Sequence, residues 1–311
     1  MTDQQTRLLI FGAGVIGSTY AQSFVAAGYE VTLLARGKRL QELRENGLMY
    51  NEKGVTKRAH VEVIEKLEVD DIYDFIFVPV RYEQAESALL GLKDNQSETI
   101  VTLINNPSGY EKWSQILGGK RLLPAFPSAG GEIKNGILYS QYGPKMIQKT
   151  IFGEIDGQIS ERVKRLAGIF KEAKIGAEVV REMDAMQKTH VALVAALTKD
   201  IYLQTRLKTP AEVTDKESIR KMAWTIKNYL KALERSGVKI TPSKLKILAL
   251  MPVGLLSFTL KWIFSAKMTR EVLFSDHAMN FKAEVELMNA DLLAFYAEND
   301  ILEAHWDTKL I

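Results

Sequence analysis

Residues 8–39 read "LLIFGAGVIGSTYAQSFVAAGYEVTLLARGKR". An apolar run is followed by three spaced glycines, a helix-period segment, a second apolar run and a basic cluster. Gly12, Gly14 and Gly17 form G-x-G-x-x-G between a strand and a helix. In that context the first glycine permits a tight turn. The second lets the backbone approach a pyrophosphate, and the third lets helix and strand pack closely. The free amides at the start of the helix, with the positive end of its dipole, suit a phosphate. Gly12, Ala13, Gly14, Val15, Ile16 and Gly17 are therefore expected to hold a dinucleotide.

The end of the second strand bears on which dinucleotide. An NAD-preferring site carries an acidic residue there for the ribose 2′-hydroxyl. Here "VTLL" runs into "ARGKR", and the first charged residue is Arg36. A carboxylate would repel a 2′-phosphate, whereas a guanidinium can hold it with two hydrogen bonds. The expected cofactor is NADP(H), with Lys38 and Arg39 close enough to assist.

Outward from this stretch, apolar runs of strand length recur at 75–80, 100–104, 122–125 and 151–153, with helix-period segments between several of them. Strand runs without polar alternation indicate a parallel sheet covered on both faces. "SERVKRLAGIFKEAKIG" reads as a capped amphipathic helix ending at Gly176, followed by a strand-like "AEVV". From Asp184 onward nearly everything reads as helix. The expected fold is an α/β Rossmann-type N-terminal domain over 1–179 and an all-α substrate and catalytic domain over 180–311.

The bulk composition narrows the function classes. Hydrophobic residues make up 46% and charged residues 25%, the balance of an ordinary globular protein. A net charge of +3 is too small to argue for nucleic acid or an anionic membrane. The absence of cysteine removes disulfides, thiolate metal sites and cysteine nucleophiles, and no metal site is expected. "MTDQQTR" is no secretory signal, so a cytoplasmic location is expected. "ILALMPVGLLSFTLKWIFSA" from Ile247 is interrupted by Pro252, Gly254 and Lys261. It reads as two buried helical pieces with a bend rather than a membrane span. It could supply a homodimer face, though core packing would explain it equally well.

A nicotinamide site needs a proton donor for the carbonyl oxygen and groups that orient the substrate. In "REMDAMQKTHVALVAALTKD", Val191–Leu197 is apolar on every side, so this helix is expected to be buried. Lys188 shares a face with Ala192 and Ala195, and on spacing alone it leans toward solvent. His190 reads as a hydrogen-bonded core histidine rather than a catalyst. In "HAMNFKAEVELMNADLLAFYAEN", Glu284 falls among Phe281, Val285, Met288 and Leu292 on the packed face, where a carboxylate is costly unless paired. Glu286 falls on the wet side. Asn105, Asn106 and Ser108 follow one strand and Arg81 another, at the edge that lines the ligand crevice of such sheets.

With these residues placed, the chain resembles the ketopantoate reductase family. The resemblance rests on "IFGAGVIGSTYA", "LLARGKRLQELRENGL", "DFIFVPVRYEQ", "INNPSGYEK", "TIFGEIDG", "DAMQKTH" and "AEVELMNADLL". It implies a Rossmann domain, a helical domain resembling the 6-phosphogluconate dehydrogenase C-terminal domain, NADPH, and reduction of a 2-oxo acid. It also implies that Lys188 is the proton donor, that Glu284 binds a substrate hydroxyl, and that Asn106 lies by nicotinamide and substrate. Arg81 stands where the family has a cofactor-binding lysine. Some positions depart from the family pattern: Met186, Ala192, Pro107 and Val272 replace an aromatic residue, an asparagine, a glycine and a serine. An opine-type dehydrogenase and a catalytically lapsed NADP(H)-binding protein are the alternative readings.

Overall fold

The computed structural model describes residues 6–119, 121–143, 149–198, 215–265 and 282–301. The chain divides into two compact units. One comprises Met1–Asn105 with Tyr110–Met183, the other Asn106–Gly109 with Asp184–Ile311.

The first unit opens with β1 (Arg7–Phe11), α1 (Val15–Ala26), β2 (Glu30–Leu34) and α2 (Gly37–Asn46). Then come β3 (Leu48–Glu52), β4 (Val55–Ala59), β5 (Glu62–Ile64), β6 (Phe75–Val78), α3 (Ala85–Gly91), β7 (Ile100–Leu103) and α4 (Glu111–Ile116). β8 (Leu122–Phe126), β9 (Ala129–Lys134), β10 (Ile137–Tyr142), β11 (Thr150–Phe152), α5 (Glu161–Glu172) and β12 (Ala177–Val179) complete it. The main sheet has the order β12-β11-β8-β7-β6-β1-β2-β5. Its pairs are parallel except β11 against β8. The strand order reverses at β1, so the loop after β1 lies at the switch point where such sheets bind ligands. This is the Rossmann-type architecture expected from the sequence.

A second sheet, β4-β3-β10-β9, was not expected from the apolar runs. Its strands are short and mostly half-buried or exposed, so they carry no continuous apolar signal. Helix α1 contacts this sheet through β3, β4, β9 and β10, and the main sheet through β1 and β2. α1 is covered on both sides, which is why "VIGSTYAQSFVA" has no charged residue. Tyr20, fully buried in α1, shares hydrogen bonds with Thr150 (2.6 Å) and the Ser128 amide (3.2 Å).

The "TIFGEIDG" segment is a tight corner after β11. A Cβ on Gly153 would lie 2.0 Å from the Val180 carbonyl oxygen. Glu154 is buried and accepts hydrogen bonds from Ser160 (2.5 Å) and from Arg162 Nε (2.7 Å) and Nη2 (2.6 Å). Burial pushes its carboxyl up, but these bonds outweigh burial and leave the pKa below the ordinary value.

The described part of the second unit holds α6 (Met183–Thr198), α7 (Lys216–Arg235), α8 (Lys246–Leu250), α9 (Val253–Ser265) and α10 (Lys282–Glu298). Asp215 caps α7 by accepting from the Glu217 and Ser218 amides at 2.8 and 3.0 Å. α7 packs against α8 and α9. Lys227, buried on α7, donates to the carbonyls of Ala249 (2.8 Å) and Met251. It thereby satisfies C-terminal carbonyls of α8 just before Pro252.

The apolar stretch from Ile247 is bent as expected, with 118° between Ser243–Leu250 and Val253–Phe264. It is not buried as expected. Val253, Leu256, Leu260 and Phe264 face inward, but Leu250, Phe258 and Trp262 are 78%, 72% and 74% exposed. The core has room for one stripe of α9 only, and the opposite stripe is apolar as well. Among the described residues no single helix is long and apolar enough to cross a membrane.

Candidate functional site

Within the first unit the candidate cofactor residues gather at the carboxyl edge of β1, β2 and β6. Phe11 pairs with Leu34, so Gly12 and Arg36 leave the same edge of neighbouring strands. Gly12 has φ +132, a conformation that favours glycine. A Cβ on Gly17 would lie 2.0 Å from Gly12 O, 2.9 Å from Pro79 and 3.0 Å from Ile10. Only glycine allows α1 to start so close to the sheet. A Cβ on Gly14 would meet nothing within 4 Å. Gly14 is also the N-cap of α1, has no side-chain cap, and is followed by a first turn without acid. Space beside uncapped amides is what a pyrophosphate requires, so these residues fit a dinucleotide.

Arg36 is exposed and N-caps α2 in extended conformation. Arg39 points back, donating to Ala13 O (3.3 Å) and Gly136 O (3.2 Å) and pairing with Glu42 (3.2 Å). Its role is to brace the glycine loop. Lys38 is exposed at 3.7 Å from Glu42. Arg36 thus remains the exposed guanidinium of "ARGKR" at the carboxyl edge of β2. Arg81 caps the single turn Tyr82–Gln84 and lies 4.0 Å from Glu83.

The second unit holds the candidate chemistry. Lys188 is buried on α6, with a side-chain exposure of 7%, so the lean toward solvent read from spacing is overturned. Its ammonium pairs with Asp184 one turn earlier and lies 4.8 Å from the ring centroid of Phe295 on α10. A carboxylate and an aromatic face thus hold the ammonium from two sides. Ala192 is fully buried.

Asn106 is buried; its amide donates to Gln187 Oε1 (3.3 Å), and its side chain bridges Gly109 O (2.6 Å) and the Ser108 amide (2.9 Å). Ser108 Oγ lies 3.5 Å from Asp291 on α10. The turn 106–109 is thus tied to the helix that carries Lys188. Glu284 is buried at 5% on α10, and Glu286 is exposed, both as the helix pattern predicts. Phe295, eleven residues further on, is the α10 residue beside Lys188. That spacing is about 16 Å of helix rise. His190 is partly buried, and loss of water lowers its pKa to about 4, which keeps the ring neutral. Phe281 and Val272 lie outside the described residues.

Sequence reasoning missed Asp184 and Phe295. Asp184 was legible as an i, i+4 partner of Lys188. Phe295 was not, because its contact spans more than a hundred residues.

Residues 8–157 match the family model for ketopantoate reductase PanE/ApbA. The N-terminal unit belongs to the ketopantoate reductase family. A 2-dehydropantoate 2-reductase of Archaeoglobus fulgidus is 27% identical over 180 residues, covering 57% of this chain and 57% of that protein. The enzyme of the same name from Pyrococcus horikoshii is 25% identical over 181 residues, again 57% of each. The match thus spans little more than half the length of these ketopantoate reductases. Solved structures resemble the fold over nearly the whole chain. The 2-dehydropantoate 2-reductase of Porphyromonas gingivalis has a TM-score of 0.66 at 18% identity, covering 93% of this chain and 99% of that one. D-mandelate dehydrogenase, solved with NADH and anilino(oxo)acetate, has 0.66 at 15% identity, covering 95% and 100%. The ketopantoate reductase-type fold therefore extends through the helical unit.

Proposed function

We propose that the chain is an NADPH-dependent reductase of a 2-oxo acid or a similar carbonyl compound. The observation that carries this reading is the buried Lys188, paired with Asp184, in a chain whose other unit has an open glycine cradle. Gly12, Gly14, Gly17 and Arg36 would hold the dinucleotide, with Arg81 at the same edge. When bound, NADPH supplies hydride to the carbonyl carbon.

Lys188 donates a proton to the carbonyl oxygen as negative charge builds there, and its positive charge stabilises that oxygen. Asp184 and Phe295 hold the ammonium in place. Asn106, fixed by three hydrogen bonds, orients the substrate end of the site. Glu284, eleven residues before Phe295 on α10, takes no direct part in the step at Lys188.

Two features favour an acid without ketopantoate's hydroxyl. Ala192 offers no hydrogen bond where the family has asparagine, and Phe295 adds an aromatic wall beside the lysine. A site that lacks partners for a polar substituent discriminates against it. The fold neighbour solved with anilino(oxo)acetate makes aryl 2-oxo acids a reasonable first class to assay. The test is NADPH oxidation with ketopantoate and phenylglyoxylate side by side, NADH as control, and the Lys188→Ala variant. Full turnover by that variant would refute the mechanism. NADPH binding without turnover on any carbonyl would favour a lapsed enzyme, and turnover requiring an added amine an opine-type dehydrogenase.

A further inference from the structure

The side-chain oxygen of Asn105 is shut off from solvent and has no hydrogen-bond partner among the described residues. An orphaned amide oxygen is a standing cost to a fold and calls for an explanation. Asn105 follows β7, which is paired on both sides, and precedes the turn 106–109, which is held by the bonds of Asn106. Its backbone is therefore fixed from both ends. The residue is half-buried, so part of its side chain meets open space. An asparagine amide can turn end for end within one outline, so either its oxygen or its nitrogen can be presented there.

The place is the carboxyl edge of the main sheet. A Cβ on Gly12 would lie 3.6 Å from Val80, so the end of β6 abuts the glycine turn. β7 is the next strand outward, with Thr102 paired to Val78. Neighbouring strands are about 4.8 Å apart, so Asn105 leaves the edge roughly 10 Å from β1. Arg36 leaves the same edge on the opposite side of β1. A dinucleotide crosses such a sheet where the strand order reverses. With its 2′-phosphate end at β2 and its pyrophosphate at Gly14, its nicotinamide end extends over β6 and β7. We propose that Asn105 pairs its side-chain amide with the carboxamide of the nicotinamide ring and so sets the orientation of that ring. This rests on the dinucleotide reading of the glycine cradle. Both groups are primary amides with a carbonyl acceptor and an NH2 donor, so they are complementary whichever way the asparagine is turned. The ligand, and not a protein group, then satisfies the side chain. Asn105 thereby contributes orientation and no proton transfer.

The test is calorimetric titration of the full chain, wild type and Asn105→Leu, with NADPH, its 3-acetylpyridine analogue and 2′,5′-ADP. The analogue carries a methyl group in place of the carboxamide NH2, and 2′,5′-ADP carries the adenine end alone. Wild type should bind NADPH about 10-fold more tightly than the analogue. Asn105→Leu should bind NADPH about 10-fold more weakly than wild type, should bind NADPH and the analogue alike, and should keep its affinity for 2′,5′-ADP within about twofold. Without nucleotide its melting temperature should equal or exceed that of wild type, because a buried orphan is removed and no protein hydrogen bond is lost. Asn105→Ala, which adds no bulk, should repeat the nucleotide pattern. Unchanged NADPH affinity in both variants would overturn the proposal. So would an equal loss of 2′,5′-ADP, a preference for NADPH over the analogue that survives both substitutions, or early melting of both variants. A wild type that binds neither NADPH nor 2′,5′-ADP would overturn the dinucleotide reading itself, and the proposal with it.

Discussion

Gly14 and Gly17 are three residues apart in one motif, yet the structure assigns them opposite sensitivities. At Gly17 a methyl group would sit 2.0 Å from a backbone oxygen, with Pro79 and Ile10 also inside contact distance. The oxygen belongs to the glycine turn and cannot rotate away, so α1 must lift from the sheet. Overpacking of this kind costs about 1–3 kcal/mol. For a unit of this size that corresponds to a melting temperature lower by roughly 3–10 °C. At Gly14 the backbone has φ −72 and ψ −170, which any residue adopts, and the added methyl meets no protein atom. Gly14→Ala should therefore change the stability of the free protein by no more than about 0.5 kcal/mol. The methyl instead occupies the space assigned to the pyrophosphate. The assay is thermal unfolding with and without NADPH. At about 100 times Kd a ligand adds ~2.7 kcal/mol to wild type. Gly14→Ala should keep the wild-type melting temperature and lose most of that increment. Gly17→Ala should melt early even without ligand. If Gly14→Ala retains the full NADPH increment, the dinucleotide does not approach this backbone and the cofactor assignment fails.

Arg36→Glu should weaken NADPH about 10- to 100-fold and leave NADH nearly unchanged, since a charge-assisted hydrogen bond contributes about 1.5–3 kcal/mol; fluorescence titration with both nucleotides measures it. Lys188→Ala should lower kcat by about 10²–10⁴ while leaving the NADPH-induced rise in melting temperature intact. Asp184→Asn should lower kcat less than Lys188→Ala and leave NADPH binding unchanged, because the ammonium loses the carboxylate that positions it. Arg162→Met should cost about 3 kcal/mol near neutral pH by stranding the buried Glu154 carboxylate. The Glu154 pKa is depressed in the folded protein, so its pairing stabilises above the ordinary carboxylate pKa and is lost on acidification through the folded value. The gap between wild type and Arg162→Met should therefore shrink as urea unfolding is repeated at falling pH.

What the sequence revealed and concealed follows from the range of the interactions. The glycine turn, the strand–helix–strand unit around it and the capped α5 depend on neighbours within a few residues, and all were legible. The second sheet was not read from its own strands, which are exposed and weakly apolar. Its trace lay elsewhere, in a twelve-residue α1 without a single charge. A helix with no polar face must be covered on both sides, and the main sheet can cover only one. The candidate site divides similarly. Glu284 was placed on a packed face by spacing and is buried there. Lys188 was misread by the same reasoning, because a wall of alanines says nothing of the ring that approaches from α10.

The apolar stretch from Ile247 shows where residue polarity alone stops being informative. A run this rich in leucine, isoleucine and aromatic residues is equally compatible with a core helix, a broken membrane segment or an interface. The phase of the pattern is no help either, since α9 is apolar on both faces. Only the three-dimensional partner of each face separates the cases. Val253, Leu256, Leu260 and Phe264 have theirs within the unit, and Leu255, Phe258 and Trp262 remain at the surface. An aromatic ridge of that size costs free energy while it faces water, at about 25 cal/mol for each Å². The ridge is thus a larger thermodynamic demand on the molecule than any single ion pair inside it. Charge substitutions at Phe258, which is exposed, should accordingly leave the melting temperature of the free chain within a degree or two of wild type.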